Sequence, residues 1–185
     1  SKEAVVLLKT SQNLHASNFP LLLGALKGNG TRNGFDIARE WLTSEGLDLN
    51  RAVQGDGAGG DAYFSPRFMS RLLAKVWTKP WAQDFKMAMP TLGKDGTLAQ
   101  IQVNSPGAGK VFAKTGTFGS FDPLNRRQLI HGKGLAGFFT TKSGREIAFA
   151  IYVNNVSVAS GDPAVVAGQE DLARKAAGQL GQFGG

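Results

Sequence analysis

The sequence predicts an α/β (α+β) protein in which helices come first, an antiparallel three-strand meander follows, and a closing helix packs back on the sheet. Two observations carry this prediction. Residues 3–77 hold apolar stripes at helical spacing, bounded by residues that start and stop helices. Residues 111–153 hold three short apolar runs with strand character, the last two joined by the hairpin turn Lys142-Ser143-Gly144-Arg145. Helices and strands do not alternate along the chain, which argues against a Rossmann arrangement.

At 185 residues and 42% hydrophobic content, the chain is globular and long enough to bury a sizeable core, in one domain or two small ones. No apolar run approaches the ~20 residues that span a bilayer. The chain has no cysteine, which excludes disulfides and thiolate metal sites within it. His15 and His131 lie far apart, without metal-ligand spacing. A net charge of +7 asks for an anionic partner. The basic residues are scattered, with Arg126-Arg127 the densest pair and no interleaved aromatics, so nucleic acid is not the expected partner. An anionic cell wall suits the same charge. The opening Ser1-Lys2-Glu3 is no signal peptide and fits the mature start of an exported protein or of a processed fragment.

Taken in order, residues 3–9 carry Ala4, Val5, Leu7 and Leu8, as in the last turns of a buried helix. Thr10-Ser11-Gln12-Asn13 interrupts it with residues that favour caps and turns. A second helical pattern follows, its start placed near Asn18 with Pro20 in the first turn, and Gly28-Asn29-Gly30 stops it. Thr31 is the expected N-cap of a helix over 35–43, whose stripe is Ile37, Ala38, Trp41 and Leu42; Glu45-Gly46 ends it. Residues 47–54 are short, mixed and strand-like. Residues 55–61 form a glycine-dense loop that lacks the Gly-Lys-Ser/Thr of a phosphate loop, and its Asp56 reads as a turn former.

Ser65-Pro66 is a strong helix start, with Phe68, Met69, Leu72, Leu73, Val76 and Trp77 as a core stripe and Pro80 beyond its end. Residues 85–90 lead into a glycine-punctuated surface segment at 91–98. A turn at 105–109 delivers the chain into the run 111–117. Residues 118–134 are expected to form a polar rim loop, followed by strands at 135–141 and 146–153, with Ile147, Phe149 and Ile151 on one face. A loop at 160–162 precedes Pro163, which opens the closing helix to about residue 180.

The chemistry concentrates in Val111-Phe112-Ala113-Lys114-Thr115-Gly116-Thr117. A strand here places a cation, two hydroxyls and a residue without a side chain together at a sheet edge. Such a set grips an anionic acyl substrate, the glycine letting it approach the backbone. An ordinary buried strand ending in a turn is the alternative.

Ser11-Gln12-Asn13 between two helices, with Lys114-Thr115-Gly116-Thr117 on a strand about a hundred residues later, resembles the second and third motifs of the serine acyltransferases that recognise penicillin. Further stretches resemble one branch of them. These are Asp56-Gly57-Ala58-Gly59, the Ser65-Pro66 helix, Asp95-Gly96-Thr97-Leu98, Gly109-Lys110-Val111, Leu135-Ala136-Gly137-Phe138, Ala148-Phe149 and Val153-Asn154-Asn155. Together they look like class C penicillin-binding proteins, the D-alanyl-D-alanine carboxypeptidase/endopeptidases. The resemblance runs from about residue 3 to 180 and implies the C-terminal part of a β-lactamase/transpeptidase-like domain, an antiparallel sheet flanked by helices, across all of residues 1–185. One departure stands out: no serine here has a lysine three residues later, so the Ser-x-x-Lys motif of the nucleophile is missing. The expected partner is therefore a companion chain that carries this upstream part.

The resemblance implies a periplasmic or secreted hydrolase without cofactor, acting on peptidoglycan stem peptides that end in D-Ala-D-Ala and open to β-lactams. In it Ser11 relays a proton to the leaving amine, Asn13 orients substrate and the missing lysine, and Lys114 supplies positive charge. Thr115 and Thr117 offer hydroxyls to the terminal carboxylate, the Thr117 N–H forms half of an oxyanion hole, and Gly116 and Phe118 complete the substrate-binding strand. At the residue level alternatives remain: Ser11 and Asn13 as mere helix caps, Lys114 as an unpaired surface lysine, His131 as a surface residue, and His15 packing or capping near Ser11. At the level of function the alternatives are an esterase, amidase or D-amino-acid peptidase on the same fold, or a catalytically inactive binding module.

Overall fold

The computed structural model describes residues 2–30 and 33–159. Helices α1 (Lys2–Thr10) and α2 (Asn13–Lys27) meet at the two-residue junction Ser11-Gln12. Helix α2 therefore starts five residues earlier than its proline suggests (18 − 13), and Pro20 lies inside it. A mid-helix proline leaves the carbonyl four residues back without its N–H. That carbonyl, on Ala16, lies against Gly57, where a Cβ would stand only 1.9 Å from the oxygen. Tertiary packing thus absorbs the interruption that the sequence reads as a helix start. Gly28 closes α2, its N–H bonded to the Gly24 carbonyl. Helix α3 (Gly34–Ser44) is capped by Asn33, whose Oδ1 accepts from the Phe35 N–H at 2.9 Å. The cap is Asn33 and not Thr31, which lies outside the described residues.

After a short 3-10 turn (Leu49–Arg51), strands β1 (Ala52–Gln54) and β2 (Ala62–Phe64) form a hairpin that the sequence reading catches only in its first arm. The glycine-dense loop between them folds on Asp56, whose carboxylate accepts from the Gly59 and Gly60 N–H groups. Two of its amides are thus spent on its own side chain. Helix α4 (Pro66–Trp77) starts as expected, with Ser65 Oγ accepting from the Phe68 N–H at 3.1 Å. Helix α5 (Ala82–Ala88) was not expected. It is two turns long and held from outside: its Lys86 is buried, bonds Glu146 at 2.7 Å and lies 4.6 Å from the Phe112 ring centroid.

Strands β3 (Val111–Asp122), β4 (Arg127–Thr140) and β5 (Glu146–Ala159) make the expected antiparallel meander in the order β3-β4-β5. They are longer than the apolar runs. The predicted rim loop at 118–134 is mostly paired strand, reversing only at 123–126, because ladder hydrogen bonds to a neighbour on each side of β4 override weak local propensity. The sheet separates two cores. Val111, Ala113, Leu135 and Phe139 face Leu92, Leu98 and Ile101, with Ile147, Phe149 and Ile151 on the same side as expected. Phe138 faces Leu73, Val76 and Met89 on the helical side, its ring 5.3 Å from that of Trp77. Burying each such large side chain contributes about 1.5–3 kcal/mol. The predicted loop at 160–162 and the closing helix lie outside the described residues.

Candidate functional site

Among the described residues, the outer edge of β3 is covered only at its start. The Leu92 N–H bonds the Val111 carbonyl, and the Ala113 N–H bonds the Pro90 carbonyl, both at 2.9 Å. In an antiparallel strand the N–H and C=O of one residue point the same way, and successive residues alternate. The backbone groups of Thr115 and Thr117 therefore point to this same edge, beyond the part that Pro90–Leu92 covers. Side chains alternate as well: Val111, Ala113 and Thr115 are buried on one face, while Phe112 and Lys114 project from the other.

Lys114 reaches the α1–α2 junction. Its Nζ donates to Ser11 Oγ at 2.8 Å, across 103 residues of sequence. It also donates to the Thr115 carbonyl at 2.6 Å, which seats the ammonium at the open edge itself. Burial penalises its charge and pushes its pKa down to about 8. Ser11 is held at φ +56°, a left-handed conformation uncommon for a residue with a side chain. The N-cap of α2 is Gln12, whose side chain accepts from the Leu14 N–H at 3.1 Å. Neither Ser11 nor Asn13 caps α2; the left-handed Ser11 ends α1, whose Leu7 carbonyl accepts from the Gln12 N–H at 3.1 Å. Asn13 is exposed at the first position of α2, and His15 is exposed two residues on, neither packed nor capping.

Other predicted residues fall differently. Thr115 is 9% exposed, and its hydroxyl is engaged 3.2 Å from that of Thr97. Thr115 thus presents backbone, not its hydroxyl, beside Lys114. Thr117 shares the Thr115 face but is exposed. Gly116 is open: a Cβ there would meet nothing within 4 Å. Packing gives no reason for a glycine at that position. Phe118 is exposed and lies 5.6 Å, centroid to centroid, from His131. His131 falls at the irregularity where the β3–β4 register shifts, and its Nε2 is 2.8 Å from Ser120 Oγ. His131 is a surface residue, as expected, although sequence spacing gives no hint of this pairing across a bulge. An apolar cleft of 390 Å³ between α1, α2 and α3, lined in part by Leu7, Phe19, Leu23 and Phe35, contains none of these residues. Among the described residues, the site is an open strand edge with a cation, a hydroxyl and unused backbone donors. Such an edge can bind an extended acyl chain and carry a proton between the cation and the hydroxyl.

The chain matches the D-Ala-D-Ala carboxypeptidase 3 (S13) family model over residues 2–175. It is 30% identical to a D-alanyl-D-alanine carboxypeptidase of Actinomadura sp. (strain R39), with 98% of this chain and 32% of that protein covered. It is 24% identical to the penicillin-sensitive carboxypeptidase A of Dictyostelium discoideum, covering 80% of this chain and 28% of the other. Among solved structures, penicillin binding protein 4 of Haemophilus influenzae in complex with a β-lactam is similar, with TM-score 0.69 and 22% identity over 94% of this chain and 40% of that one. A predatory endopeptidase of Bdellovibrio bacteriovorus, solved with an immunity protein, gives TM-score 0.69 at 19% identity, over 98% and 43%. The chain thus spans about a third of these curated relatives, and the fold is theirs. With the family model covering nearly its whole length, this chain belongs to the D-Ala-D-Ala carboxypeptidase 3 (S13) family.

Proposed function

We propose that this chain supplies the proton-relay and substrate-binding half of a serine-type D-Ala-D-Ala carboxypeptidase/endopeptidase that acts on peptidoglycan peptides outside the cytoplasm. The observation that carries the reading is the contact between Lys114 Nζ and Ser11 Oγ at an open strand edge. The nucleophilic serine comes from a companion part that carries Ser-x-x-Lys. In support of such a part, α1 and α2 leave Val5, Val6, Leu14, Leu21, Leu22 and Leu26 exposed, apolar side chains that a partner can bury.

The nucleophile's oxygen adds to the carbonyl carbon of the penultimate D-alanine, and its proton passes to the lysine of Ser-x-x-Lys. The edge-directed Thr117 N–H stabilises the oxyanion. As the C–N bond breaks, the terminal D-alanine leaves with a proton delivered through Ser11, whose hydroxyl Lys114 polarises. Lys114 and the Thr117 hydroxyl hold the terminal carboxylate. Gly116 leaves room for the substrate backbone along β3, Asn13 orients the scissile amide, and Phe118 lines the rim. Water then hydrolyses the acyl-enzyme, and β-lactams stop at that stage.

The test is release of D-alanine from a D-Ala-D-Ala peptide by the protein with its companion part. Ser11→Ala should slow release by roughly 10²–10⁴-fold, the usual worth of a general acid. Release at the wild-type rate by that variant would remove Ser11 from the mechanism. Hydrolysis of esters with no D-alanine release by the wild type would point to an esterase on the same fold.

A further inference from the structure

We propose that Asp95 and Lys9 are positioning residues that hold Ser11 against Lys114, an inference that rests on the function proposed above. Lys9 stands two residues before Ser11, on the last turn of α1. Its Nζ donates to Asp95 Oδ2 at 2.6 Å and to the Met89 carbonyl at 2.8 Å. Asp95 Oδ1 accepts from the Thr91 N–H at 2.8 Å, which fixes the carboxylate within its own turn. Burial alone would raise the Asp95 carboxyl, but the Lys9 hydrogen bond, the Thr91 amide and the Lys9 charge outweigh it and hold the group below the usual range.

The turn that contains Asp95 is the one pinned to β3 on both sides of Lys114. Pro90 and Leu92 bond Ala113 and Val111 on one side, and Thr97 meets Thr115 on the other. Gly96, at φ +59°, lets the turn press on α1, since a Cβ there would lie 2.9 Å from the Lys9 carbonyl oxygen. The result is a closed circuit from Lys114 through Ala113, Pro90, Asp95 and Lys9 to Ser11, and back across 2.8 Å to Lys114.

Two magnitudes separate this role from plain fold stabilisation. The Lys9 and Asp95 side chains are 19% and 45% exposed, and a pair half open to water through Asp95 adds only modestly to stability. A misplacement of about 1 Å between reacting groups, in contrast, costs on the order of 10²-fold in rate. Loss of the pair should therefore show in rate more than in melting temperature.

The experiment is a double-mutant cycle on the protein with its companion part, read as the rate of acylation by benzylpenicillin and of D-alanine release. Asp95→Asn should slow both by roughly ten- to a hundredfold with little change in Tm or KM. In a Ser11→Ala background the same substitution should have no further effect, because the group being positioned is gone. Lys9→Met removes the other end of the pair and must give the same pattern, which keeps the test open if the Asp95 variant fails to fold. Variants at the wild-type rate, or an equal loss with and without Ser11, would overturn the proposal. A wild type that neither acylates nor releases D-alanine would overturn the proposed function, and this inference with it.

Discussion

Lys114 is charged at neutral pH although burial has brought its pKa down to about 8, from 10.5 in an open chain. Between those values the unfolded chain binds a proton that the folded one does not, so folding becomes more favourable as pH rises through that window. Below pH 8 the full penalty of burying the charge remains. The difference in Tm between a Lys114→Met variant and the wild type should therefore shift in favour of the wild type between pH 8 and 10.5. It should stay level from pH 6 to 7. A difference that is constant across pH 8–10.5, or that moves the other way, would mean the ammonium is as well solvated in the folded protein as outside it. The same lysine illustrates what a resemblance in sequence can supply: the two motifs single out Lys114 and Ser11 together, and the fold brings them to 2.8 Å. Thr115 shows what it hides. Alternation along the strand turns its hydroxyl to the buried face, where Thr97 takes it.

At the scale of elements, two glycines one strand apart should behave in opposite ways. A Cβ at Gly137 of β4 would stand 2.0 Å from the Phe112 carbonyl oxygen, so Gly137→Ala must prise β3 from β4, at a cost of roughly 1–3 kcal/mol of stability. Gly116 on β3 faces open space. Gly116→Ala should leave the urea midpoint almost unchanged and still impair acylation, because its methyl occupies the edge where substrate lies. Equal stability losses in the two variants would show that Gly116 is a packing residue.

The order of helices, the capped start of α4 and the three-strand meander were all legible, since each rests on local periodicity or a cap. The misses share one cause. Helix α5 depends on the buried Lys86–Glu146 pair, and the far halves of β3 and β4 depend on pairing with each other. Pro20 sits within α2 because Gly57 comes from distant sequence to meet the Ala16 carbonyl. Contacts between segments far apart in the chain do not show in a local window.

For the whole molecule, the described residues contain no helix long and apolar enough to cross a membrane. The net charge of +7 suits work against an anionic polymer. The chain spans 28–45% of its relatives and similar structures, and the proposed function assigns it the substrate-binding and proton-relay part of a reaction whose nucleophile lies elsewhere. Denaturing mass spectrometry of the purified protein, before and after incubation with benzylpenicillin, tests this most directly. The account predicts a second polypeptide, or an upstream part of the same one, that gains one penicillin mass while residues 1–185 stay unmodified. Folded protein that carries no label, or label on a residue of this stretch, would contradict it.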